Sequence, residues 1–391
     1  MQTFLGYLSA ALLLLAHEAP AGERATHAAK VSASAAADPQ ALTADDRRKL
    51  AAYNRAWEKY DSEARAYWNS IAEKRRIRNA KRRNHQEILV DDYVLTQPPV
   101  YSGPPKPPAP SAVERKPPEK YVPVVADFLK AAAEHFQFVP QRPASELEYK
   151  RAYANVAAAA GLTMDQVVRI YGFEAGGNGR YDVQAGLESA GANARAISTA
   201  LGYNQLLTTN SVELMAEQGE DFIAALRKKA ESLSGESRKA LERKIAIVQR
   251  MVEFSRTVPN TWSEHERLAA TPQGLGVHAM VLDVDVGPLL QAQKLLNSVA
   301  FARLKGHHTP LSAAELGMMN LTGDATGLDM VTMPAAMRKQ VPTSNFFQRS
   351  GYERNPIAIR NNVVSQLLMA TDAKMDREMR RRGARELAAA F

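Results

Sequence analysis

Thr163-Met164-Asp165-Gln166-Val167-Val168-Arg169-Ile170-Tyr171-Gly172-Phe173-Glu174-Ala175-Gly176-Gly177 is the stretch on which the fold turns. It opens on Thr163 followed at the third place by Gln166, the pattern of a capping box. The apolar residues Val167, Ile170 and Tyr171 then recur at helical spacing, and Glu174 continues the same face. Gly176-Gly177 supplies the close backbone turn that ends the helix. The stretch therefore predicts an amphipathic helix with a carboxylate on its apolar face at the C-terminal end. The helix dipole is negative there and repels a carboxylate. Desolvation by the apolar face disfavours the charge as well, so the pKa of Glu174 is expected to lie above that of an ordinary glutamate. A carboxyl group that keeps its proton near neutral pH is what a glycosidase uses as general acid.

A second segment, Ala200-Leu201-Gly202-Tyr203-Asn204-Gln205-Leu206-Leu207, follows after a gap. A helix-terminal Glu followed at this distance by a Gly-hydrophobe-X-Gln segment resembles the soluble lytic transglycosylase domain of the lysozyme superfamily, over about residues 145 to 375. The family pattern reads Glu-Ser and Gly-Leu-Met-Gln. This chain has Glu174-Ala175 and Gly202-Tyr203-Asn204-Gln205, so the Ser is absent and the middle of the second motif differs. The resemblance implies an all-α, lysozyme-like domain in which Glu174 is catalytic and Gly202, Tyr203 and Gln205 line the sugar cleft. A third family motif carries an Asn and a Gly near the substrate. Met318-Met319-Asn320-Leu321-Thr322-Gly323 offers Asn320 and Gly323 for it, and Tyr352-Glu353-Arg354-Asn355-Pro356 offers Tyr352, so both places stay open as substrate contacts. The implied substrate is the peptidoglycan glycan strand, cut with no cofactor and no metal. The alternative is a non-catalytic scaffold of the same fold that binds peptidoglycan or envelope partner proteins.

The rest of the chain agrees with an envelope protein. Residues 4–16 form an apolar run too short to span a bilayer, and Ala19-Pro20-Ala21 follows as a cleavage pattern. Residues 1–21 thus read as a signal peptide, which predicts a periplasmic or secreted protein and makes nucleic acid an unexpected partner. The net charge of +8 over 391 residues favours polyanionic partners, and nucleic acid, anionic membrane and cell wall all answer to that. There is no cysteine, which rules out disulfides and Cys-ligated metal.

Residues 22–42 are small and polar and read as a disordered lead. Residues 43–96 hold a basic amphipathic helix whose seam runs through Leu50, Tyr53, Trp57, Tyr60, Ala64, Tyr67 and Ile71. Such a seam pairs with a partner helix or lies on the main domain. It ends in the run Lys74 to Arg83, expected to face water or to touch anionic envelope polymers or lipid headgroups. Residues 97–123 are proline-rich and predict a semi-rigid spacer. Residues 124–391 predict one helical domain, with helices near Val124, Leu147, Thr163, Ala194, Val212, Asp221, Glu236, Pro288 and Ser312 and a final long helix from Asn361 to Ala389. Asp283 and Asp285 before Pro288 read as acids near a helix start, with a second catalytic carboxylate as the sharper option. His307-His308 lacks metal-ligand spacing.

Overall fold

A computed structural model describes residues 43–107, 121–187 and 194–391. The signal segment and the disordered lead fall outside the described residues. Helix makes up 67% of the structure and strand is almost absent, so the protein is all-α. The helices in order are α1 Ala44–Arg83, α2 Val125–Phe136, α3 Glu146–Ala159, α4 Met164–Ala175, α5 Thr208–Glu231, α6 Gly235–Ser255, α7 Trp262–Ala269 and α8 Pro272–His278. They continue as α9 Gly287–Leu304, α10 Ala313–Thr322, α11 Asp324–Thr332, α12 Ala335–Arg338, α13 Arg349–Glu353, α14 Pro356–Arg360, α15 Val364–Glu378 and α16 Arg382–Ala388. Among the described residues, no helix is long and apolar enough to cross a membrane.

The chain separates into two compact units. One contains residues 122–334 and 365–391, and the other contains the described residues through 121 together with 335–364. This differs from the expected single domain over 124–391. Residues 335–364 belong with α1 because Asn345 is bound on both sides: Val94 N–H donates to its Oδ1 at 3.0 Å and its Nδ2 donates to the Val94 carbonyl at 2.8 Å. Tyr67 and Ser344 also share a 2.7 Å hydrogen bond.

In this α1 unit the aromatic seam is covered by the chain itself. Tyr101 packs on Tyr53, Trp57 and Tyr60 with ring centroids 5.4 to 6.0 Å apart. Gln97 donates to the Asn362 carbonyl at 3.1 Å. The start of the proline-rich stretch is therefore packed structure and not a spacer, since Tyr101 removes aromatic surface from water. The remainder of that stretch, 108–120, lies outside the described residues. The basic run is also used internally. Arg78 is buried, donates to the Asp92 carbonyl at 3.0 Å and stands 4.2 Å over the Tyr93 ring. Arg75 donates to the carbonyls of Asn345 and Phe347 at 3.0 Å, and Lys81 pairs with Asp92 at 2.6 Å.

In the other unit α4 is the central helix. Its cap is the one the sequence predicts: the Thr163 hydroxyl accepts from Gln166 N–H at 3.2 Å, and Thr163 N–H donates back to Gln166 Oε1 at 3.0 Å. Val167, Val168, Ile170, Tyr171 and Phe173 are all buried, because α3, α10 and α16 pack around the helix. Arg169 clamps α15 to α4 through Asp372 at 2.6 Å and Asp376 at 2.7 Å.

Three expected helix boundaries move. Residues 194–201 are not helical, because they pair with Gln184, Ala185 and Leu206, with Ala185 N–H on the Ala200 carbonyl and Ile197 N–H on the Ala185 carbonyl, both at 3.0 Å. The helices expected near Val212 and Asp221 are one continuous α5. The final helix breaks between α15 and α16 because the turn after α4 caps α16: Gly383 N–H donates to Asn178 at 3.1 Å and Ala384 N–H to the Gly177 carbonyl at 2.8 Å. That docking also explains Gly177, whose φ is +67° and where a Cβ would come within 2.5 Å of the Glu378 carbonyl.

Candidate active site

Glu174 is the penultimate residue of α4, with Gly176 as a left-handed C-cap at φ +66°. It is half-buried on the wall of an open cleft of about 690 Å³ that also includes Phe173, Arg180, Asp182, Gln184 and Lys374. Asn320 of α10 donates through Nδ2 to Glu174 Oε1 at 2.9 Å. Of the residues expected at the site, Glu174 and Asn320 are thus brought into direct contact. Burial pushes the Glu174 carboxyl above its ordinary range, while Lys294, the Asn320 donor and Lys374 pull it back. Low dielectric favours the acid, and flanking donors and cations stabilise the carboxylate once the proton has left.

The second motif is placed differently from its expected role. Residues 202–205 form a tight turn closed by Leu201 N–H on the Leu206 carbonyl at 2.9 Å and Leu206 N–H on the Leu201 carbonyl at 3.0 Å. Gly202 has φ +81°, and a Cβ there would meet Gln291 Nε2 at 2.1 Å. Only glycine combines that conformation with that approach. Tyr203 is fully buried among Tyr149, Tyr153 and Tyr171, and its hydroxyl donates to Glu146. Gln205 turns inward, donating to the Gly202 carbonyl at 2.8 Å. None of these side chains lines the cleft. The correction has a physical reason: a Tyr ring among other aromatic rings and a Gln bonded to its own turn hold the motif's backbone in place and leave nothing for a sugar. Tyr352 falls in the α1 unit, buried against Trp68 and Phe347, which makes it a core residue there.

The turn is tied to α9 by two side chains. Asn204 N–H donates to Gln291 Oε1 at 2.7 Å, and Lys294 Nζ donates to the Asn204 carbonyl at 2.9 Å and the Gln205 carbonyl at 3.4 Å. Lys294 is buried, and burial lowers its ammonium to about 8 against the pull of Glu174, Asp324 and Glu213. Behind it lie further carboxyls. Burial, with Glu217 and Asp324, pushes Glu213 up to about 8 while Lys294 opposes. Burial pushes Asp324 up to about 6, against the Ser298 hydroxyl that donates to it at 2.6 Å and against Lys294. Sequence analysis missed this group. The signal was present in α9, where Gln291, Lys294 and Ser298 place polar groups at helical spacing among Leu290, Leu295 and Ala302.

The other sequence candidates have structural roles. Asp283 is buried and pairs with Lys244 at 2.9 Å, and Asp285 pairs with Lys244 and, at 2.5 Å, with Lys229. Asp182, a further carboxylate of the cleft wall, is held by Arg142 at 2.7 Å and Arg180 at 3.1 Å. Compared with protein families, curated proteins and solved structures, the chain matches none.

Proposed function

We propose that the unit around α4 is a glycan-cleaving domain of lytic transglycosylase type that acts on peptidoglycan in the cell envelope, with Glu174 as acid and then base. The observation that carries this is one carboxyl group on a cleft wall, kept toward its protonated form by burial and held by Asn320 at 2.9 Å. Glu174 donates its proton to the glycosidic oxygen as the bond from that oxygen to C1 of the muramic sugar breaks. The positive charge that develops on the ring resembles an oxocarbenium ion. Glu174, now a carboxylate stabilised by Lys294, Asn320 and Lys374, takes the proton from the C6 hydroxyl as O6 bonds to C1. A 1,6-anhydro ring closes and no water is consumed. One group serves twice, which suits a cleft whose other carboxylate among the described residues, Asp182, is engaged by arginines.

The scaffold reading is favoured by Ala175 in the place of the family serine and by the inward use of Tyr203 and Gln205. Purified sacculi separate the two. The catalytic reading expects soluble 1,6-anhydro-muropeptides by mass spectrometry, and a loss of at least about a hundredfold in rate for Glu174→Gln, the scale of a lost general acid. Wild-type protein that pellets with sacculi and releases nothing would establish the scaffold instead.

A further inference from the structure

Among the described residues, the charged side chains of the cleft wall are Glu174, Arg180, Asp182 and Lys374. Arg180 and Asp182 are paired with each other at 3.1 Å. Glu174 and Lys374 act on each other across space, but form no ion pair within 4.0 Å. Lys374 is left over: among the described residues no carboxylate lies within 4.0 Å of its ammonium. Glu378, one turn further along α15, is engaged by Arg381 at 3.2 Å.

Lys374 is also held in place before any ligand arrives. Its Nζ donates to the Phe173 carbonyl at 3.1 Å and stands 4.1 Å over the Phe173 ring. The Arg169 clamp to Asp372 and Asp376 fixes the same stretch of α15. A half-buried ammonium with one donor used and its stem ordered binds an anion with little further loss of freedom. We infer that Lys374 binds a carboxylate carried by the glycan, so that the cleft selects acidic glycan over a neutral chain of the same linkage, an assignment that rests on the glycan-cleaving reading above. In peptidoglycan that carboxylate is the lactyl group of the muramic sugar or the peptide built on it. Lys374 is then a specificity residue in addition to its pull on the Glu174 carboxyl.

The test uses the full chain carrying Glu174→Gln, so that ligands bind without turnover. Calorimetric affinities are measured for a muramic-acid-containing tetrasaccharide with a free lactyl carboxylate, for its methyl amide, and for neutral chitotetraose. The acidic ligand is expected to bind about tenfold more tightly than its amide, the scale of one charge-assisted contact. Adding Lys374→Met removes that preference by weakening the acidic ligand alone, and Lys374→Arg restores most of it. Unchanged chitotetraose affinity certifies that the variant is folded. A preference that survives Lys374→Met, or a loss shared equally by all ligands, overturns the role of Lys374 while leaving the glycan cleft standing. Binding of no ligand by the Glu174→Gln protein overturns both.

Discussion

Glu213 is 7% exposed, and the forces on its carboxyl are burial and neighbouring charges, with no hydrogen bond among the described residues. Glu213→Gln therefore keeps the shape, removes the charge and breaks no hydrogen bond. In the unfolded chain the carboxyl titrates near 4.5, and in the fold at about 8. A carboxyl raised by folding contributes stability that is complete below the unfolded value and is lost as pH climbs through the folded one. Between those two values each pH step of one costs about 1.4 kcal/mol, so the wild type should lose about 4 kcal/mol from this group between about pH 5 and about pH 9. Glu213→Gln should not show that loss. Urea unfolding of both proteins across this range is the assay. The stability difference should be small at the acid end and grow in favour of the variant as pH rises. Parallel stability curves, or a variant that is equally weaker at every pH, would refute the buried, proton-holding carboxyl and with it the electrostatic picture of the cluster behind Glu174.

Asn320→Ala removes the donor that favours the Glu174 carboxylate, so the Glu174 pKa rises. The alkaline limb of the pH–rate profile on soluble glycan should then move to higher pH, and a movement toward acid would contradict the assignment. Gly202→Ala sets a side chain at φ +81° and against Gln291, which should cost about 1–3 kcal/mol by denaturant unfolding. A neutral result there would show that the turn is not held as described.

The capping box of α4, the apolar face that follows it and Glu174 at its end were legible because each is a local pattern. A cap bonds residues three apart, and helical periodicity repeats within a few turns, so neighbouring sequence carries the whole signal. The same holds for the Ser312 cap of α10, where Ser312 and Glu315 bond each other at 3.0 and 3.2 Å. Residues 194–201 misled for the converse reason. Their alanines favour helix, yet pairing with Gln184 and Ala185 and the His278 bond to the Thr199 carbonyl at 3.0 Å override that weak preference.

By itself, the sequence determined that the protein is all-α, where most helices begin, and that one carboxylate sits on an apolar helix face beside a glycine turn. Only the tertiary structure decided what that carboxylate meets. Asn320 lies 146 residues from Glu174 in the chain, and Lys294 and Lys374 come from helices whose own patterns name no partner. It also decided that Tyr203 and Gln205 face inward and that residues 335–364 join α1. A pKa and a cleft depend on which distant side chains exclude water from a group and which place charge beside it. Those neighbours are set by helix packing over long sequence separations, and no local pattern encodes them.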